Sequence, residues 1–477
     1  MPRETPLEQR REPLALMIEA AHYAGKDSGS SKLLRQIKSI SVPVGRWRYR
    51  NPGKLIGHAI GAPNALSISA LPGISQQTLI SNACGSINEG EIDCALVVGG
   101  EAGYRLQQAK SAGMALQDTL SEDTADTVLK PQTEMLPDYE QRTGLGQMPV
   151  GYYALLDCAF RRYQKLGLDE HRDQMAALYS QFSHIAANNP HAWHRETQPA
   201  ETIRNASSTN PMLAFPYTKM HNAQWNVDQA SALLFVSVAL AEKLNIPRER
   251  WIFPQAFSEA NHMLNITARD ALHRCIGASI AGSAVLDAAR CKPQDLDYLE
   301  LYSCFPIAVA SYAHELNIPK NRDWTFSGGM PFAGGPFNNF VLHTVAQLAH
   351  LLRQKPGARG MVTTVSGILT KQGFGIWGTE PSPNGYQFID VTQEVAAKTK
   401  VCEVVEDYSG SGVIAAYTVL HDRAGPYRGV AIVDLPDGRR TIASSKDIVE
   451  MRNMETNDVC GLSVDIDQGH FTTTGIQ

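Results

Sequence analysis

The eight cysteines of this 477-residue chain are scattered, and no two of them form a C-x-x-C pair. Without such a pair, zinc ribbons and thioredoxin-type redox sites are not expected, and we predict no metal site. Scattered cysteines in a long chain are typical of a reducing compartment. Residues 1–11 are polar and lack the apolar core of a signal peptide. These absences favour a cytoplasmic protein.

Long apolar runs and a strong excess of charge are missing too. The chain has no run of about eighteen apolar residues, so we expect no membrane insertion. A net charge of -5 and a pI near 6.3 give no bulk attraction to nucleic acid. The hydrophobic content of 43% and the charged content of 19% are ordinary for a globular protein of several domains.

A strand, a helix and a second strand are predicted between residues 65 and 101. Residues 65–73 read as a strand and a tight turn, residues 74–90 as a helix, and residues 91–101 as a short polar turn and an apolar strand that ends in Gly-Gly-Glu. Two parallel strands joined by a helix form a βαβ unit with a right-handed crossover. Cys84 falls inside the helix of this unit.

A second block with the same alternation of predicted strands and helices follows the first. Between the two blocks, residues 102–215 are mostly helical and rich in loops, and residues 228–240 predict a buried strand. The second block contains three predicted strands and three predicted helices: strands at 251–257, 298–301 and 360–365, and helices at 268–290, 305–316 and 338–353. Two successive halves of this kind predict a duplicated α/β architecture.

The sequence pattern changes near residue 391. Short β-branched segments separated by glycine-rich and Pro-Asp-Gly turns predict a small β-barrel-like domain. The predicted strands are residues 401–405, 412–420, 429–434 and 440–443. No basic and aromatic stripe accompanies them, so a packing role is favoured over nucleic-acid binding. The predicted domains are residues 1–245, which include the helical region 102–215, then residues 246–390, and then residues 391–477.

Five motifs along the chain resemble those of the thiolase superfamily over about residues 10–385. They are Gly90 to Ala102, Asp228 to Ala232, Leu301 to Phe305, Ser327 to Gly329 with Gly334 to Pro336, and Ser366 with Gly367. The chain looks similar to sterol-carrier-type thiolases, and most of all to thiolase-like proteins of type 1, which carry an added C-terminal β domain. The resemblance implies a duplicated thiolase fold of five αβαβα layers and an acyl-CoA ligand.

Thiolase chemistry needs a cysteine at a helix N-terminus, where the helix dipole and backbone amides stabilise the thiolate. The resemblance implies that this nucleophile lies a whole helix before Gly90, which is the position of Gly73. Cys84 lies only six residues before Gly90, near the end of the helix, where the dipole disfavours a thiolate. We therefore interpret Cys84 as a packing residue.

The other catalytic positions of the family are also altered. The resemblance places Tyr302 where sterol-carrier thiolases have their oxyanion-hole histidine, and Cys304 matches their acid/base cysteine. Gly335 replaces the proton-moving histidine, and Ser366 replaces a late cysteine. Because residues that act as a unit are lost together, we expect no thiolytic or Claisen activity. Any chemistry is expected at Tyr302 and Cys304. The resemblance also implies a strand before the first helix, which this sequence lacks, so the first sheet is expected to be incomplete.

The ligand expected from the resemblance is CoA or acyl-CoA, with no required cofactor. Glycine loops let a backbone approach a ligand closely, and lysines can meet phosphates. The predicted ligand-binding residues are Lys219, Gly328, Gly329 and Ser366. The arginines of residues 46–50 could also meet phosphates, although packing of this loop on its own domain is favoured. His221 is a possible acid/base, with a structural role favoured.

Three functions remain open from the sequence. The first is an acyl-CoA-binding thiolase homologue without thiolase activity. The second is an acyl-CoA enzyme of another mechanism, a retro-aldolase or an acyl transferase that uses Tyr302 or Cys304. The third is an interaction protein without a ligand. The expected assembly is a monomer or a homodimer.

Overall fold

The computed structural model describes residues 1–131 and 136–473. Its α-helices, in chain order, are α1 (Pro13–Asp27), α2 (Pro52–Ile60), α3 (Gln76–Asn88), α4 (Gly103–Ser111), α5 (Asp138–Glu140), α6 (Val150–Tyr163), α7 (Leu168–Asn188), α8 (Ala200–Arg204), α9 (Val238–Lys243), α10 (Ile276–Ala288), α11 (Pro306–Glu315), α12 (Gly329–Phe332), α13 (Phe340–Arg353), α14 (Thr392–Lys398) and α15 (Ile448–Thr456). None of the helices in these residues is both long and apolar enough to cross a membrane.

The β-strands belong to three sheets. In chain order they are β1 (Ser39–Pro43), β2 (Leu66–Ala70), β3 (Cys94–Ala102), β4 (Thr127–Leu129), β5 (Met212–Ala214), β6 (Tyr217–Thr218), β7 (Asp228–Val236), β8 (Phe253–Asn261), β9 (Tyr298–Glu300), β10 (Arg359–Ser366), β11 (Lys371–Gly378), β12 (Gln387–Asp390), β13 (Gly410–Asp422), β14 (Gly425–Asp434), β15 (Arg440–Ser445), β16 (Ser463–Asp467) and β17 (His470–Thr473).

The first sheet has the strand order β4-β2-β1-β3-β7. Strands β1 to β4 run parallel, and β7 pairs antiparallel with β3. The βαβ unit predicted between residues 65 and 101 is present as β2, α3 and β3. No strand precedes α1 in the described residues, but β4 adds to the outer edge of β2 and brings the sheet to five strands. The first sheet is therefore intact despite the missing N-terminal strand.

The second sheet has the order β12-β8-β11-β10-β9, so each half contributes five strands. The helix predicted at residues 268–290 begins only at Ile276, and the residues before it form turns. Arg269 makes a β-bridge with Val401, and the Cys402 amide donates to the Ala268 carbonyl. This pairing with the C-terminal segment overrides the local helical pattern. The strand predicted at 401–405 is likewise reduced to isolated bridges.

The third sheet closes on itself as a small barrel. Strand β13 pairs with β14 on one side and with β16 on the other, and β15 and β17 complete the ring. The hairpin of β5 and β6, at the end of the helical region, joins the barrel where Ala214 pairs with Leu420. The β-barrel-like domain predicted from the sequence is present, and it packs on the helical region of the first half.

Buried apolar side chains run continuously from α3 through the second half into the barrel, and a second cluster lies beneath α1. A fully buried ion pair anchors the N-terminal segment to the first sheet. The Asp228 carboxylate accepts from Arg10 at 2.5 Å and from the backbone amides of Tyr104 and Arg105, at the start of α4. Asp228, which belongs to one of the five motifs, thus has a structural role at the junction of α1, α4 and β7.

Candidate functional site

The position that the resemblance assigns to the nucleophile carries no side chain. Gly73 has a φ of 100°, and a Cβ built on it would lie 3.1 Å from the Pro131 Cβ. Helix α3 starts just afterwards, with the Ser75 hydroxyl capping the Gln77 amide at 3.2 Å. Cys84 lies well inside α3, where burial raises its pKa. No thiolate therefore stands at the start of this helix.

A buried lysine faces this position instead. The Lys371 ammonium, on β11, donates to the Gly73 carbonyl at 2.9 Å, and the residue is only 5% exposed. Burial lowers the pKa of Lys371. Ser366 lies directly opposite Lys371 across the hairpin of β10 and β11. Lys371 was not predicted from the sequence, because 298 residues separate it from Gly73 and no motif marks it.

The turn of this hairpin has an unusual backbone. Gly367, Ile368 and Leu369 all have positive φ angles, of 58°, 53° and 62°. The left-handed conformation costs about 1–2 kcal/mol for a residue with a side chain, and strained turns of this kind cluster at functional sites. The Leu369 carbonyl accepts from the side-chain Nε2 of Gln372 at 2.6 Å, which helps to hold the turn. The strain lies beside Lys371, at the point where the family motif is changed to Ser366-Gly367.

Tyr302 and Cys304 lie in the loop between β9 and α11. The Tyr302 amide donates to the Thr363 hydroxyl at 2.8 Å, and its ring packs edge-on against Phe340. Burial, and to a lesser extent the neighbouring Cys304, raises the pKa of Tyr302. Burial raises the pKa of Cys304 to about 12, against the opposing hydrogen bond with Tyr153. At neutral pH both groups are therefore protonated, and neither attacks a thioester as a phenolate or thiolate.

The glycine loop that follows α11 is packed against a helix. A Cβ on Gly328 would lie 2.4 Å from the Ala186 Cβ and 2.5 Å from its backbone nitrogen, and a Cβ on Gly329 would lie 2.7 Å from the Phe182 ring. Both of these neighbours belong to α7. The Met330 amide also donates to the Ser303 hydroxyl at 2.9 Å. The structure thus brings Gly328 and Gly329 next to the loop of Tyr302 and Cys304, with α7 covering them.

The carboxyl of Glu300 holds the glycine loop in place. It accepts from the hydroxyls of Thr325 and Ser327 and from the amides of Phe326 and Ser327, at 2.7–3.0 Å. Burial outweighs these bonds and raises the pKa of Glu300 to about 7. The protonated carboxyl can keep its acceptor oxygen on the two amides while it donates to a hydroxyl.

The free energy of unfolding should therefore depend on pH through Glu300. The pKa of Glu300 in the folded protein is raised above its unfolded value near 4.5. Its contribution to the free energy of unfolding is therefore complete below pH 4.5 and is lost as the pH rises to about 7. In this window Glu300→Gln is expected to make the slope of unfolding free energy against pH less negative, by up to about 1.4 kcal/mol per pH unit. Urea titrations at several pH values measure this slope. The exposed Glu249→Gln serves as the control, and equal slopes in both variants would contradict the assignment.

The remaining predicted residues lie at the edges of this region. Lys219 is exposed at the start of a short 3-10 turn that ends at His221. His221 is buried beside Thr218, and burial lowers its pKa to about 3, which leaves it neutral and favours the structural role. The Cys304 carbonyl accepts from the Ala223 amide at 3.1 Å, which ties the segment after His221 to the Tyr302 loop.

A buried polar network behind Cys304 was not predicted from the sequence. Helix α6 contributes Tyr153, which hydrogen-bonds to Cys304, and Asp157 one turn later. The Asp157 carboxyl contacts the His171 ring at 2.7 Å, and the Tyr217 hydroxyl accepts from the Ile307 amide at the start of α11. Helix α6 is buried on nearly all sides, so no hydrophobic periodicity distinguishes these polar positions.

The basic loop of residues 46–50 packs on its own domain, as the sequence favoured. The Trp47 indole donates to the Gly100 carbonyl at 3.0 Å, and the Tyr49 hydroxyl donates to Glu12. The Arg46 guanidinium lies 4.5 Å from the centre of the Trp225 ring. A separate groove of about 1910 Å³ runs along β7 between α1 and α13, and neither Tyr302 nor Cys304 lines it.

Comparison with known proteins agrees with this architecture. Residues 390–470 match the model of the thiolase-like protein type 1 additional C-terminal domain. The whole chain is similar to a monomeric SCP2-thiolase-like protein type 1 from Mycobacterium smegmatis, with 26% identity and a TM-score of 0.82 over 98% of this chain and 96% of that one.

Two thiolases share the fold at lower identity. The dimeric peroxisomal thiolase of Saccharomyces cerevisiae is 16% identical, with a TM-score of 0.54 over 80% of this chain and 94% of that one. The human mitochondrial 3-ketoacyl-CoA thiolase is 15% identical, with a TM-score of 0.55 over 77% and 93%. The duplicated sheets and these likenesses define a thiolase-fold protein. The match of the C-terminal domain and the similarity along the whole chain support a thiolase-like type 1 classification, in agreement with the resemblance seen in the sequence.

Proposed function

We propose that this protein is a cytoplasmic, monomeric acyl-CoA-binding member of the thiolase-like proteins and does not catalyse thiolysis. The single observation that carries the proposal is the electropositive position before α3. There the Lys371 ammonium and the positive end of the α3 dipole lie near a glycine that offers no nucleophile. Such a position suits the carbonyl oxygen of a thioester, which needs hydrogen-bond donors and positive charge.

The state of the other groups supports the absence of thiolysis. Cys304 and Tyr302 are protonated at neutral pH, so neither supplies a thiolate or a phenolate. Gly335 carries no side chain, and its amide is bound to the Gln224 carbonyl at 2.8 Å. The positions assigned to the nucleophile and to the proton-moving histidine are both glycines, which supports the proposed absence of thiolysis.

Binding of acetyl-CoA tests the proposal through Lys371. The unmodified protein is expected to bind acetyl-CoA in a calorimetric titration, and Lys371→Met to bind it about tenfold more weakly, because a hydrogen bond from a charged donor is lost. Lys355→Met is the matched control, since Lys355 pairs with Asp297 at the surface, and its affinity should equal that of the unmodified protein. Circular dichroism verifies that each variant is folded. Absence of binding by the folded, unmodified protein would contradict the proposal.

A second candidate is an acyl-CoA enzyme that uses Tyr302 and Cys304 as proton donors. The observation in its favour is that a buried phenol and a buried thiol lie two residues apart beside the Tyr153 hydroxyl. Incubation with a β-hydroxyacyl-CoA separates the candidates. Turnover that disappears in Tyr302→Phe or Cys304→Ala would favour the enzyme, and no turnover by any of the three proteins would exclude it for this substrate class.

A further inference from the structure

Two cysteines meet at the junction of the C-terminal barrel and the first half. The sulfur atoms of Cys158 and Cys460 lie 3.3 Å apart, although the residues are 302 positions apart in the chain. Cys158 is on α6, and Cys460 is in the loop between α15 and β16. Both residues are buried, at 5% and 6% exposure. A disulfide needs a sulfur separation of about 2.05 Å, so the two atoms have little more than 1 Å to move.

The surroundings distinguish the two sulfurs. The Tyr417 amide donates to the Cys158 sulfur at 3.5 Å, and Arg161, one turn along α6, pairs with Asp458 at 2.7 Å. Burial opposes ionisation of Cys158, but the hydrogen bond from Cys460 and the charge of Arg161 hold its pKa below the ordinary value. The same hydrogen bond, together with burial, raises the pKa of Cys460. Cys158 is therefore the thiol that ionises first, and Cys460 remains the proton donor beside it.

A small space adjoins Cys158. An internal space of about 10 Å³ is lined by Cys158, Arg161 and Tyr417. This volume is at the lower limit for one water molecule, so hydrogen peroxide enters only if the lining side chains move slightly, and larger thiol reagents are excluded.

We propose that Cys158 and Cys460 form a reversible oxidation site that takes hydrogen peroxide and closes into a disulfide. The Cys158 thiolate attacks one peroxide oxygen, the O–O bond breaks, and the released hydroxide takes up a proton to give water and Cys158 sulfenic acid. The Cys460 sulfur then attacks the Cys158 sulfur. The S–O bond breaks, and the hydroxyl leaves as a second water with the Cys460 proton. Two thiols are oxidised, and one peroxide is reduced to two waters.

The disulfide would join the barrel to the part of the fold that holds the candidate site. Helix α6 carries Cys158, and it also carries Tyr153, whose hydroxyl hydrogen-bonds to Cys304. Oxidation would thus fix the position of α6 relative to the barrel. Reduction by a dithiol would release it.

Thiol counting on the denatured protein after mild peroxide treatment tests this proposal. The reactive thiols of the full chain are expected to fall from eight to six, with a dithiothreitol-sensitive peptide pair containing Cys158 and Cys460 in the mass spectrum. In Cys275→Ser, which removes another buried cysteine, the count should fall from seven to five.

In Cys158→Ser the count should stay at seven under the same treatment, and the linked peptide should be absent. If this variant does not fold, the linked peptide in the unmodified protein decides the result by itself. A loss of thiols without that peptide, or an unchanged count of eight in the unmodified protein, would overturn the proposal.

Discussion

Purified protein is expected to release no acetyl-CoA from acetoacetyl-CoA and free CoA above the uncatalysed rate. Removal of a nucleophile and its base from an enzyme of this kind costs on the order of 10⁶ in rate. Gly73 offers no sulfur, and burial keeps Cys84 and Cys304 protonated. The reaction is measured as the decrease in absorbance of the acetoacetyl-CoA enolate. Thiolysis that is proportional to protein concentration would contradict the assignment of Gly73.

Replacing Gly73 with cysteine is not expected to restore the reaction. The backbone at Gly73 has a φ of 100°, and a Cβ there would meet Pro131 at 3.1 Å, so a side chain would distort the turn before α3. The variant also lacks a histidine to accept the thiol proton. Gly73→Ala is the matched control for the backbone effect, because it adds the Cβ without the sulfur. Thiolysis by Gly73→Cys but not by Gly73→Ala would show that the rest of the thiolase machinery is intact.

Gly328→Ala is expected to destabilise the fold by about 3 kcal/mol or more, since it combines an overpacked contact with a left-handed backbone. The new Cβ would lie 2.4–2.5 Å from the Cβ and backbone of Ala186, and a helix backbone cannot move aside as a flexible side chain can. The φ of Gly328 is 96°. Thermal unfolding followed by circular dichroism measures the loss.

Gly357→Ala provides the matched control for this substitution. Gly357 has a φ of 84°, but nothing lies within 4 Å of the Cβ that would be added. Gly357→Ala therefore measures the effect of the left-handed backbone alone, and it is expected to destabilise the fold by about 1 kcal/mol. Equal losses in the two variants would mean that α7 does not press on the glycine loop, which would leave Gly328 and Gly329 open to the ligand predicted for them.

The parts of the fold that could be predicted were those encoded locally. The βαβ unit around Cys84 and the turn-separated strands of the barrel follow from patterns within a few residues. The prediction was wrong where distant segments pair. The residues before Ile276 form turns, and residues 401–405 are not a strand, because Arg269 and Val401 bridge each other.

The residues of the candidate site were likewise predicted only in part. The motifs shared with the family pointed to Gly73 and Tyr302, because each of these residues lies within or near a motif that is continuous in the sequence. They missed Lys371, whose ammonium reaches Gly73 from the second half. They also missed Asp157, which lies on a helix buried on most sides and contacts His171 of the next helix. The roles of Tyr302, Cys304 and Ser366 stay predictions, and they depend on whether acyl-CoA enters near them.

Acyl-CoA binding without thiolysis is tested most directly by one calorimetric titration of acetyl-CoA into the unmodified protein, with free thiol assayed in the same cell afterwards. Binding to one site per chain, with no CoA thiol released above that of a protein-free sample, is the predicted result. The absence of a binding heat, or release of CoA in proportion to protein, would contradict it.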